Sequence, residues 1–379
     1  MKLSFERRDA LRTISGLAAC SMLPLRAQTP KPIVSARSMT VVQIADMSSG
    51  QIDVSRDFVM GSRVAWQEIN AKGGLRGKAI VHKTLETDGS DASLRQAVAS
   101  LQGLPQVVAL VGTVGARAAA TVSTLLRHDA ADIPHIAPWL QSDASAASNP
   151  TFAIFANRQE QIAHAVRSLS VAGAAELGVV YSSADEMRVY RDDVEKAANA
   201  LNLRLKSYGP PTDLTALGQS LTPQSPRVLI FLGGTPELMQ FSQGLQKQST
   251  LRYIVAMSDV NLQTLAQAGQ SRHAPVIATQ VVPLVNSGAQ VVRGYRDALT
   301  RLFDEPPTPQ GLAGYIAARY AFEAMQSVDG AVSRQSLMHW LQSRGSIDLG
   351  GFRIDLSGQR GSGSYVTQSM ISNEGRIIG

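Results

Sequence analysis

Cysteine, aromatic residues and charged residues are all scarce in this 379-residue chain. Cys20 is the only cysteine, which excludes an intramolecular disulfide, a four-cysteine zinc site and a cysteine-held iron–sulfur cluster, because each needs several thiolates. The six histidines show neither H-x-x-H nor H-E-x-x-H spacing, so we predict no metal and no other cofactor. Aromatic residues make up only 5%, and no cluster of Lys and Arg is interleaved with them, which argues against nucleic-acid binding.

Long apolar runs are also missing after residue 27. None approaches the ~18 to 20 residues that a membrane-spanning helix needs, so the sequence predicts no such helix. Hydrophobic residues nevertheless make up 44% of the chain, which is enough for a packed core. At roughly 100 to 200 residues per domain, the length predicts two folding units.

Residues 1–27 have the pattern of an export signal. A charged start is followed by a modestly apolar stretch and by the small residue Ala27 before Gln28, as in secretory signal peptides. We expect cleavage after Ala27, a short leader over residues 28–37 and a periplasmic mature protein. Cleavage would remove five basic and two acidic side chains and lower the formal net charge from +6 to +3.

Two features of this signal leave the export route and the anchorage open. The paired Arg7 and Arg8 of ERRDALR resemble the twin-arginine export motif, with the general secretory route as the alternative. The string LAAC, which ends at Cys20, fits a lipobox and would make Cys20 a lipidated N-terminus.

Between residues 39 and 283, short apolar runs alternate with segments of helical period. Examples of the apolar runs are MTVVQIAD, VVALVGT, GVVYSS and RVLIFLGG. About eight such runs occur in two groups of four, separated by a helical segment at residues 158–173. Strands that alternate with helices build parallel sheets through right-handed crossovers. The pattern therefore predicts an α/β protein with two doubly wound parallel-sheet lobes.

The lobes are expected to be discontinuous in sequence. We predict that the first lobe comprises residues 38–158 and 284–333, and the second residues 159–283 and 334–379, so that the chain crosses between them three times. In the tail, FRIDL and SYVTQSM alternate apolar and polar residues like antiparallel strands. We expect these segments to add edge strands to the second sheet.

Several of these strings together resemble one family. The string AWQEINAKGGLRGKAIVHKTLETDGSD at residues 65–91 is similar to the opening of type I periplasmic solute-binding proteins of the branched-chain amino acid transporter type. The resemblance continues through VVALVGTVGA, IPHIAPW, ELGVVYSSADE, LIFLGGTPE, IATQVVP and DLGGFRIDLS, and so covers residues 39–379. It implies a non-enzymatic, monomeric receptor that closes two lobes on a small solute and delivers it to an ABC transporter permease.

The site residues are predicted from the topology. In open parallel sheets, ligands bind beyond the carboxyl ends of the strands, so each lobe should supply half of a cleft. From the first lobe we expect Ser48, Ser49, Gly50, Gln51, Gly112, Thr113, Val114, Gly115, Ala137, Pro138, Trp139 and Gln141. From the second we expect Tyr181, Glu186, Gly234, Thr235, Ser258 and Asp259, with Gln280 near the crossing.

The GTVGA string favours an anion on the first lobe. Gly112 and Gly115 would let the backbone approach a carboxylate, Thr113 would add a hydroxyl, and a helix starting near Ala116 would add its positive end. A phosphate site is the alternative, although the chain has neither a Walker Lys-Ser/Thr nor a G-x-G-x-x-G after the first strand. A tight turn with no ligand is the other alternative.

For the second lobe, the family resemblance implies that Asp259 receives the ammonium group of an amino acid. Glu186 and Thr235 stand where such proteins often carry other ligand-facing residues, which puts an identical ligand in doubt. Structural alternatives stay open: Asp259 could cap the helix from Leu262, and Glu186 could be a solvated loop charge. Trp139 could be an apolar wall or a core aromatic, and Tyr181 is more typical of strand-end packing.

Three functions remain from the sequence. The first is a transport-linked receptor for a small carboxylate-bearing solute, such as an amino acid or a related organic acid or amide. The second is an exported ligand sensor that feeds a regulator or kinase. The third is a secreted α/β enzyme, which is disfavoured because no G-x-S-x-G elbow occurs in the chain.

Overall fold

The computed structural model describes residues 39–128, 132–139, 150–246, 248–269, 274–343, 345–356, 365–372 and 376–379. The predicted signal peptide, the leader, the candidate lipidation site Cys20 and the candidate site residue Gln141 all lie outside these residues. Within the described part, no helix is both long enough and apolar enough to cross a bilayer.

The first sheet has five strands in the order β2-β1-β3-β4-β5, and all of its pairs are parallel. β3 is buried at every position, because helices cover both faces of the sheet. The strands are β1 (Thr40–Asp46), β2 (Val81–Thr87), β3 (Val107–Val111), β4 (His135–Ile136) and β5 (Thr151–Phe152).

The second sheet has seven strands in the order β14-β13-β10-β9-β8-β6-β7. Five of them are parallel, and the last two along the chain pair antiparallel at one side. The strands are β6 (Glu176–Tyr181), β7 (Arg204–Tyr208), β8 (Val228–Leu232), β9 (Tyr253–Ala256), β10 (Val276–Gln280), β13 (Thr367–Ile371) and β14 (Ile377–Ile378). A separate antiparallel hairpin is formed by β11 (Ser346–Asp348) and β12 (Arg353–Asp355). The predicted α/β class with two parallel-sheet lobes is confirmed.

Eleven described helices connect and cover these strands. They are α1 (Ile52–Ala71), α2 (Asp91–Ala99), α3 (Ala116–His128), α4 (Arg158–Val171), α5 (Ala184–Asn199), α6 (Leu214–Ser220), α7 (Thr235–Leu245), α8 (Leu262–Gln267), α9 (Gln290–Leu302), α10 (Pro309–Gln326) and α11 (Arg334–Gln342). Most begin at a Ser, Thr, Asp or Asn whose side chain accepts a hydrogen bond from the first turn, as expected for N-caps.

The I-N-x-x-G-G motif joins α1 to β2. The Asn70 side chain donates to the carbonyl of Ile80 at 2.8 Å and accepts from the amide of Ile80 at 2.9 Å. Gly73 and Gly74 have φ values of 101° and 64°, which glycine adopts without steric cost. The motif therefore reverses the chain at the end of α1, and it does so far from the carboxyl ends of the strands.

α1 and α10 cross at glycines and bind the returning chain to the first lobe. A Cβ on Gly61 would overlap the carbonyl oxygen of Gly311, and a Cβ on Gly314 would overlap that of Phe58. The Ser62 hydroxyl lies 3.2 Å from the carbonyl of Gly314. This close packing attaches α10 to the first lobe, and α9 joins the same core through Val292 and Tyr295.

The predicted boundary at residue 334 needs correction. The Arg334 side chain at the start of α11 donates to carbonyls of the first lobe, including those of Leu104 and Val107, and Phe352 and Ile354 are part of the first-lobe core. Residues 334–343 and 345–356 therefore pack on the first lobe, and of the described residues that follow, only β13 and β14 join the second sheet. The alternation of FRIDL is the same whichever core receives it, so the sequence pattern could not distinguish the two lobes.

Candidate solute-binding cleft

Segments that follow the carboxyl ends of strands in one sheet contact the other lobe at several places. The Asn261 side chain, just before α8, donates to a carboxylate oxygen of Asp57 on α1 at 3.0 Å. The Gln310 side chain on α10 donates to the carbonyl of Ser258 at 3.0 Å. A Cβ on Gly234 would lie 3.5 Å from the carbonyl oxygen of Gly50. Predicted loops of the two lobes, among them those of Gly50 and Gly234, thus contact each other.

On the first lobe, many of the predicted backbone donors are already used inside the protein. Four backbone amides donate to carbonyls of neighbouring segments at 2.7 to 3.0 Å, namely those of Gly112, Val114, Ala137 and Trp139. The amide of Ser48 donates to the Asp46 carboxylate at 2.9 Å.

Gly115 packs against a carboxylate that belongs to the protein itself. Its φ is 104°, and a Cβ at this position would lie 2.5 Å from the Cβ of Asp46 and 3.2 Å from one of its carboxylate oxygens. The buried Asp46 side chain thus lies beside the start of α3, where the macrodipole favours an anion. The glycine has a packing role here, and its binding of a solute carboxylate stays a prediction.

The Thr113 hydroxyl points to a buried histidine. It lies 2.8 Å from Nε2 of His135, whose Nδ1 lies 3.3 Å from the Ser123 hydroxyl and 3.2 Å from that of Thr151. Burial lowers the pKa of His135 to about 3, so the ring is neutral near pH 7. Thr113 therefore contributes to the inner structure of the first lobe.

Trp139 is a core aromatic with one unpaired polar atom. Its ring lies 5.6 Å from those of Phe58 and Phe155, and the residue is 2% exposed. The indole Nε1 is buried and has no hydrogen-bond partner among the described residues. Ala137, two residues earlier, has a φ of 51°, a left-handed conformation that is unfavourable for a residue with a Cβ.

On the second lobe, the central residue is Arg158, which the sequence interpretation missed. Its guanidinium is paired with Glu186 at 2.6 Å and with Asp259, and it lies over the ring of Tyr190 at 4.8 Å from the centroid. The Arg158 side chain is 3% exposed and that of Asp259 is 4% exposed. The three charged groups leave a net charge of −1 at the rim of the second sheet.

One signal could have pointed to Arg158. It is the first residue of α4, directly after the cap Asn157, and a cation is unfavourable at a helix N-terminus. A buried Arg at that place therefore requires anionic partners. Which carboxylates supply them depends on the packing of α5 and of the loop after β9, and that packing is not visible in the local sequence.

Two structural alternatives for the second-lobe acids are decided by these contacts. Asn261, and not Asp259, caps α8, since its side chain accepts from the amides of Gln263 and Thr264. Asp259 instead places one carboxylate oxygen on Arg158, while the other, Oδ1, is buried without a partner among the described residues. Glu186 lies in the first turn of α5 and is bound to Arg158, so it is not a solvated loop charge.

The remaining second-lobe candidates are mostly buried. The Thr235 hydroxyl accepts from the amide of Asn261 at 2.9 Å. Tyr181 is fully buried, and burial raises the pKa of its phenol to about 12, in agreement with strand-end packing. The amide of Ser258 donates to the Gln161 side chain at 2.9 Å, whereas its own hydroxyl is buried and unpaired within the described chain.

Sixteen buried side-chain polar atoms have no hydrogen-bond partner among the described residues, and six of them belong to residues that end or follow a strand or, like Gln310, contact the other lobe. Buried polar groups are normally hydrogen-bonded, so such a group of exceptions is expected where a ligand binds. Some are donors and some are acceptors, and both lobes contribute. The six atoms are Nε1 of Trp139, Nε of Arg158, Oγ of Ser258, Oδ1 of Asp259, Nε2 of Gln280 and Oε1 of Gln310. No group of three or more potential metal ligands occurs in the part of the chain that the structure describes.

Asp57, at the junction between the lobes, has an unusual pKa. Burial raises it from 3.8 to about 6, helped by the nearby Asp53 and Glu305 carboxylates and opposed by hydrogen bonds from Thr308 and Asn261. The charged form is therefore costly in the folded protein above about pH 6, and this cost disappears once the pH falls below 3.8.

We expect Asp57→Asn to raise the free energy of unfolding at pH 8 by about 1 to 2 kcal/mol, because the amide keeps an acceptor without the buried charge. The gain should shrink as the pH falls from 6 to 4. Urea unfolding at pH 8, 6 and 4 measures it. Asp88→Asn is the control: hydrogen bonds from Ser93 and Ser90 lower the pKa of Asp88, so it should show no gain at pH 8. An Asp57→Asn effect that is the same at every pH would contradict the assignment.

A two-lobed α/β chain with polar loops facing each other across parallel sheets has the architecture of a bilobal binding protein. A family model described as periplasmic binding protein matches residues 38–370, and the chain belongs to that family. The resemblance inferred from the sequence is thereby confirmed. A comparison with curated proteins found no match.

Solved structures share the fold at low sequence identity. An extracellular ligand-binding receptor from Verminephrobacter eiseniae is 19% identical, with a TM-score of 0.81 over 90% of this chain and 99% of that one. A substrate-binding periplasmic protein from Ralstonia solanacearum is 20% identical, with a TM-score of 0.78 over the same shares. LivJ from Streptococcus pneumoniae, solved with isoleucine, is 15% identical, with a TM-score of 0.76 over 90% and 97%.

Proposed function

We propose that this chain is an exported receptor that captures a small solute between its two lobes and delivers it to the permease of an ABC transporter. The family membership supports a binding role outside the cytoplasm. The observation that carries the proposal is the set of buried, unpaired polar atoms contributed by both lobes at their junction. A solute held there would supply the missing partners, and closure would hide it from water.

The chemistry of these atoms favours a solute with both an anionic and a cationic or amide group. Nε1 of Trp139 and Nε of Arg158 are donors that need an acceptor, which a carboxylate supplies. Oδ1 of Asp259 is an acceptor that needs a donor, which an ammonium or amide supplies. We therefore propose an amino acid or a related organic acid or amide, with Ser49 at the carboxylate side.

The structural relatives agree with a carboxylate. One of them was solved with isoleucine, and another, from Thermomonospora curvata and 14% identical, is described as a fatty acid transporter substrate-binding protein. Both solutes carry a carboxylate and an aliphatic chain, but only isoleucine carries an ammonium group. Delivery to a permease is also part of the proposal, and the description of both relatives as transporter substrate-binding proteins supports it.

A thermal-shift screen of the chain from Gln28 onward tests the receptor function. Amino acids, aliphatic and aromatic carboxylates, fatty acids and amides would be added singly. A true solute at ~100 times its Kd should stabilise the native state by about 2.7 kcal/mol, and it should be recovered unchanged afterwards. If no member of any of these classes shifts the unfolding transition, the proposed solute class is wrong.

For a solute with an ammonium group, Asp259→Asn should weaken binding by about 2 to 5 kcal/mol, because a buried charge would lose its counterpart. Calorimetry with the solute found in the screen measures the change. Asp185→Asn is the matched control, since its side chain is 87% exposed on α5 and should leave affinity unchanged. Unchanged affinity in both variants would remove Asp259 from the site, whereas a loss in both would indicate a general electrostatic effect.

A further inference from the structure

The hydrogen bond between Asp57 and Asn261 joins the two lobes through side chains alone. Asp57 lies in the second turn of α1 on the first lobe, and Asn261 precedes α8 on the second. Nδ2 of Asn261 donates to Oδ2 of Asp57 at 3.0 Å. The residues are separated by 204 positions in the chain, so the contact depends entirely on how the lobes meet.

The amide of Asn261 can be placed in only one way. Its Oδ1 accepts from the amides of Gln263 at 3.0 Å and Thr264 at 3.2 Å, and a flipped amide would direct its NH₂ group at those two donors. Its backbone amide donates to Thr235 at 2.9 Å. The second lobe therefore holds Asn261 rigidly with Nδ2 directed at Asp57.

The first lobe presents Asp57 as a poorly solvated acceptor. Asp53 one turn earlier and Glu305 in the α9–α10 connection are both acidic, and the Tyr295 hydroxyl on α9 is buried nearby. Burial is the largest cause of the raised pKa of Asp57, and the hydrogen bonds from Thr308 and Asn261 are the main effects that oppose it. Thr308 and Asn261 are thus the donors that compensate for its burial, which makes the interlobe bond important to Asp57 as well.

A second contact holds the same loop. Nε2 of Gln310 donates to the carbonyls of Ser258 at 3.0 Å and Val260 at 3.3 Å. The segment that carries Asp259 is therefore attached to the first lobe on both sides of Asp259. Any opening of the cleft at this place must break these bonds.

We propose that the Asp57–Asn261 hydrogen bond is a latch that holds the Asp259 loop against the first lobe and sets the fraction of closed protein. The two residues are positioning residues: they act on solute affinity through closure. The latch rests on the proposed function in one respect: the proposed function uses closure of the two lobes to capture the solute. The contact itself is made only by side chains of the protein.

A swapped pair tests the latch. Asn261→Asp keeps the cap of α8, because Asp caps helices as well as Asn does, but it places a second carboxylate opposite Asp57. Asp57→Asn keeps an acceptor for Asn261. The double variant Asp57→Asn/Asn261→Asp reverses donor and acceptor and should restore the bond, as in a double-mutant cycle.

Closure can be measured without added solute by pulsed electron paramagnetic resonance. In a chain with Cys20→Ser, spin labels would be attached to cysteines at Lys83 on β2 and Glu195 on α5, which are exposed and lie on different lobes. In the otherwise unchanged chain we expect a population with a short distance between the labels, which represents the closed protein. The ratio of closed to open protein should be about tenfold lower in Asn261→Asp, which corresponds to about 1.4 kcal/mol. Asp57→Asn and the double variant should both have near-normal ratios.

Two results would overturn the latch. One is the same distance distribution in all four chains, including the absence of a short-distance population in the parent. The other is a shift in Asn261→Asp that the double variant does not reverse, since that would indicate local damage. A negative solute screen with a positive distance result would remove the proposed function and leave the latch, whereas solute binding with unchanged distances would remove only the latch.

Discussion

Replacing Arg158 with Ala should lower the free energy of unfolding by about 3 to 5 kcal/mol, because it removes one member of a buried ion-pair group. The substitution leaves Asp259 without its cation in a place where its side chain is 4% exposed, and it leaves Glu186 close to a second carboxylate. It also removes the guanidinium that covers the Tyr190 ring. Urea unfolding at pH 7 measures the loss.

The matched control is Arg188→Ala on α5. Arg188 is also paired with an acid, Asp185, but the two side chains are 73% and 87% exposed, so the pair should contribute little. An Asp259→Asn/Arg158→Ala double variant should recover part of the lost stability, since it removes the uncompensated charge. If Arg158→Ala and Arg188→Ala were equally mild, the buried ion-pair group would not exist in solution.

A Gly61→Val substitution should cost about 3 kcal/mol or more, because overpacking a close helix crossing forces the backbones apart. A Cβ at Gly61 would overlap the carbonyl of Gly311, and the atoms that it would meet belong to backbone, which has no rotamer to change. The helices are long and buried, and α10 has almost no exposed residue. We therefore expect a first lobe that is strongly destabilised or does not fold.

The control for this crossing is Gly288→Ala, at a position where an added Cβ meets nothing within 4 Å. Its thermal unfolding should match that of the parent chain. Gly61→Ala should fall between the two variants, since one methyl group demands a smaller separation of the helices. A normal melting temperature for Gly61→Val would show that α1 and α10 do not cross as described.

The class of fold could be predicted because it depends on local and repeated features. Apolar β-branched runs such as VVALV at β3 alternate with helical segments. Such an alternation predicts a parallel sheet covered by helices, because the sheet and the helices then bury their apolar faces against each other. The strand ends then indicate which loops form the cleft. Gly50 and Gly234 were both expected there, and their loops do meet.

The polar partners within the cleft could not be predicted in the same way. Asp46 was not expected beside Gly115, nor Arg158 between Glu186 and Asp259. Each contact joins segments that are distant in the chain, and the local pattern around each residue is compatible with several partners. Gln310 and Asn261 were missed for the same reason, because their side chains act across the junction between the lobes.

The two α/β lobes could be predicted from the sequence, since periodicity, helix caps and turn glycines act over a few residues, and the resemblance of several motifs indicated the family. Only the packed structure shows that residues 334–343 and 345–356 join the first lobe and that Asp259 is paired with Arg158. It also decided that Thr113 turns inward to His135. These outcomes depend on which charges and hydroxyls are desolvated together, and desolvation is a property of the packed chain. A carboxylate is paired with a particular cation, and its burial costs free energy, only when the surrounding segments exclude water from it.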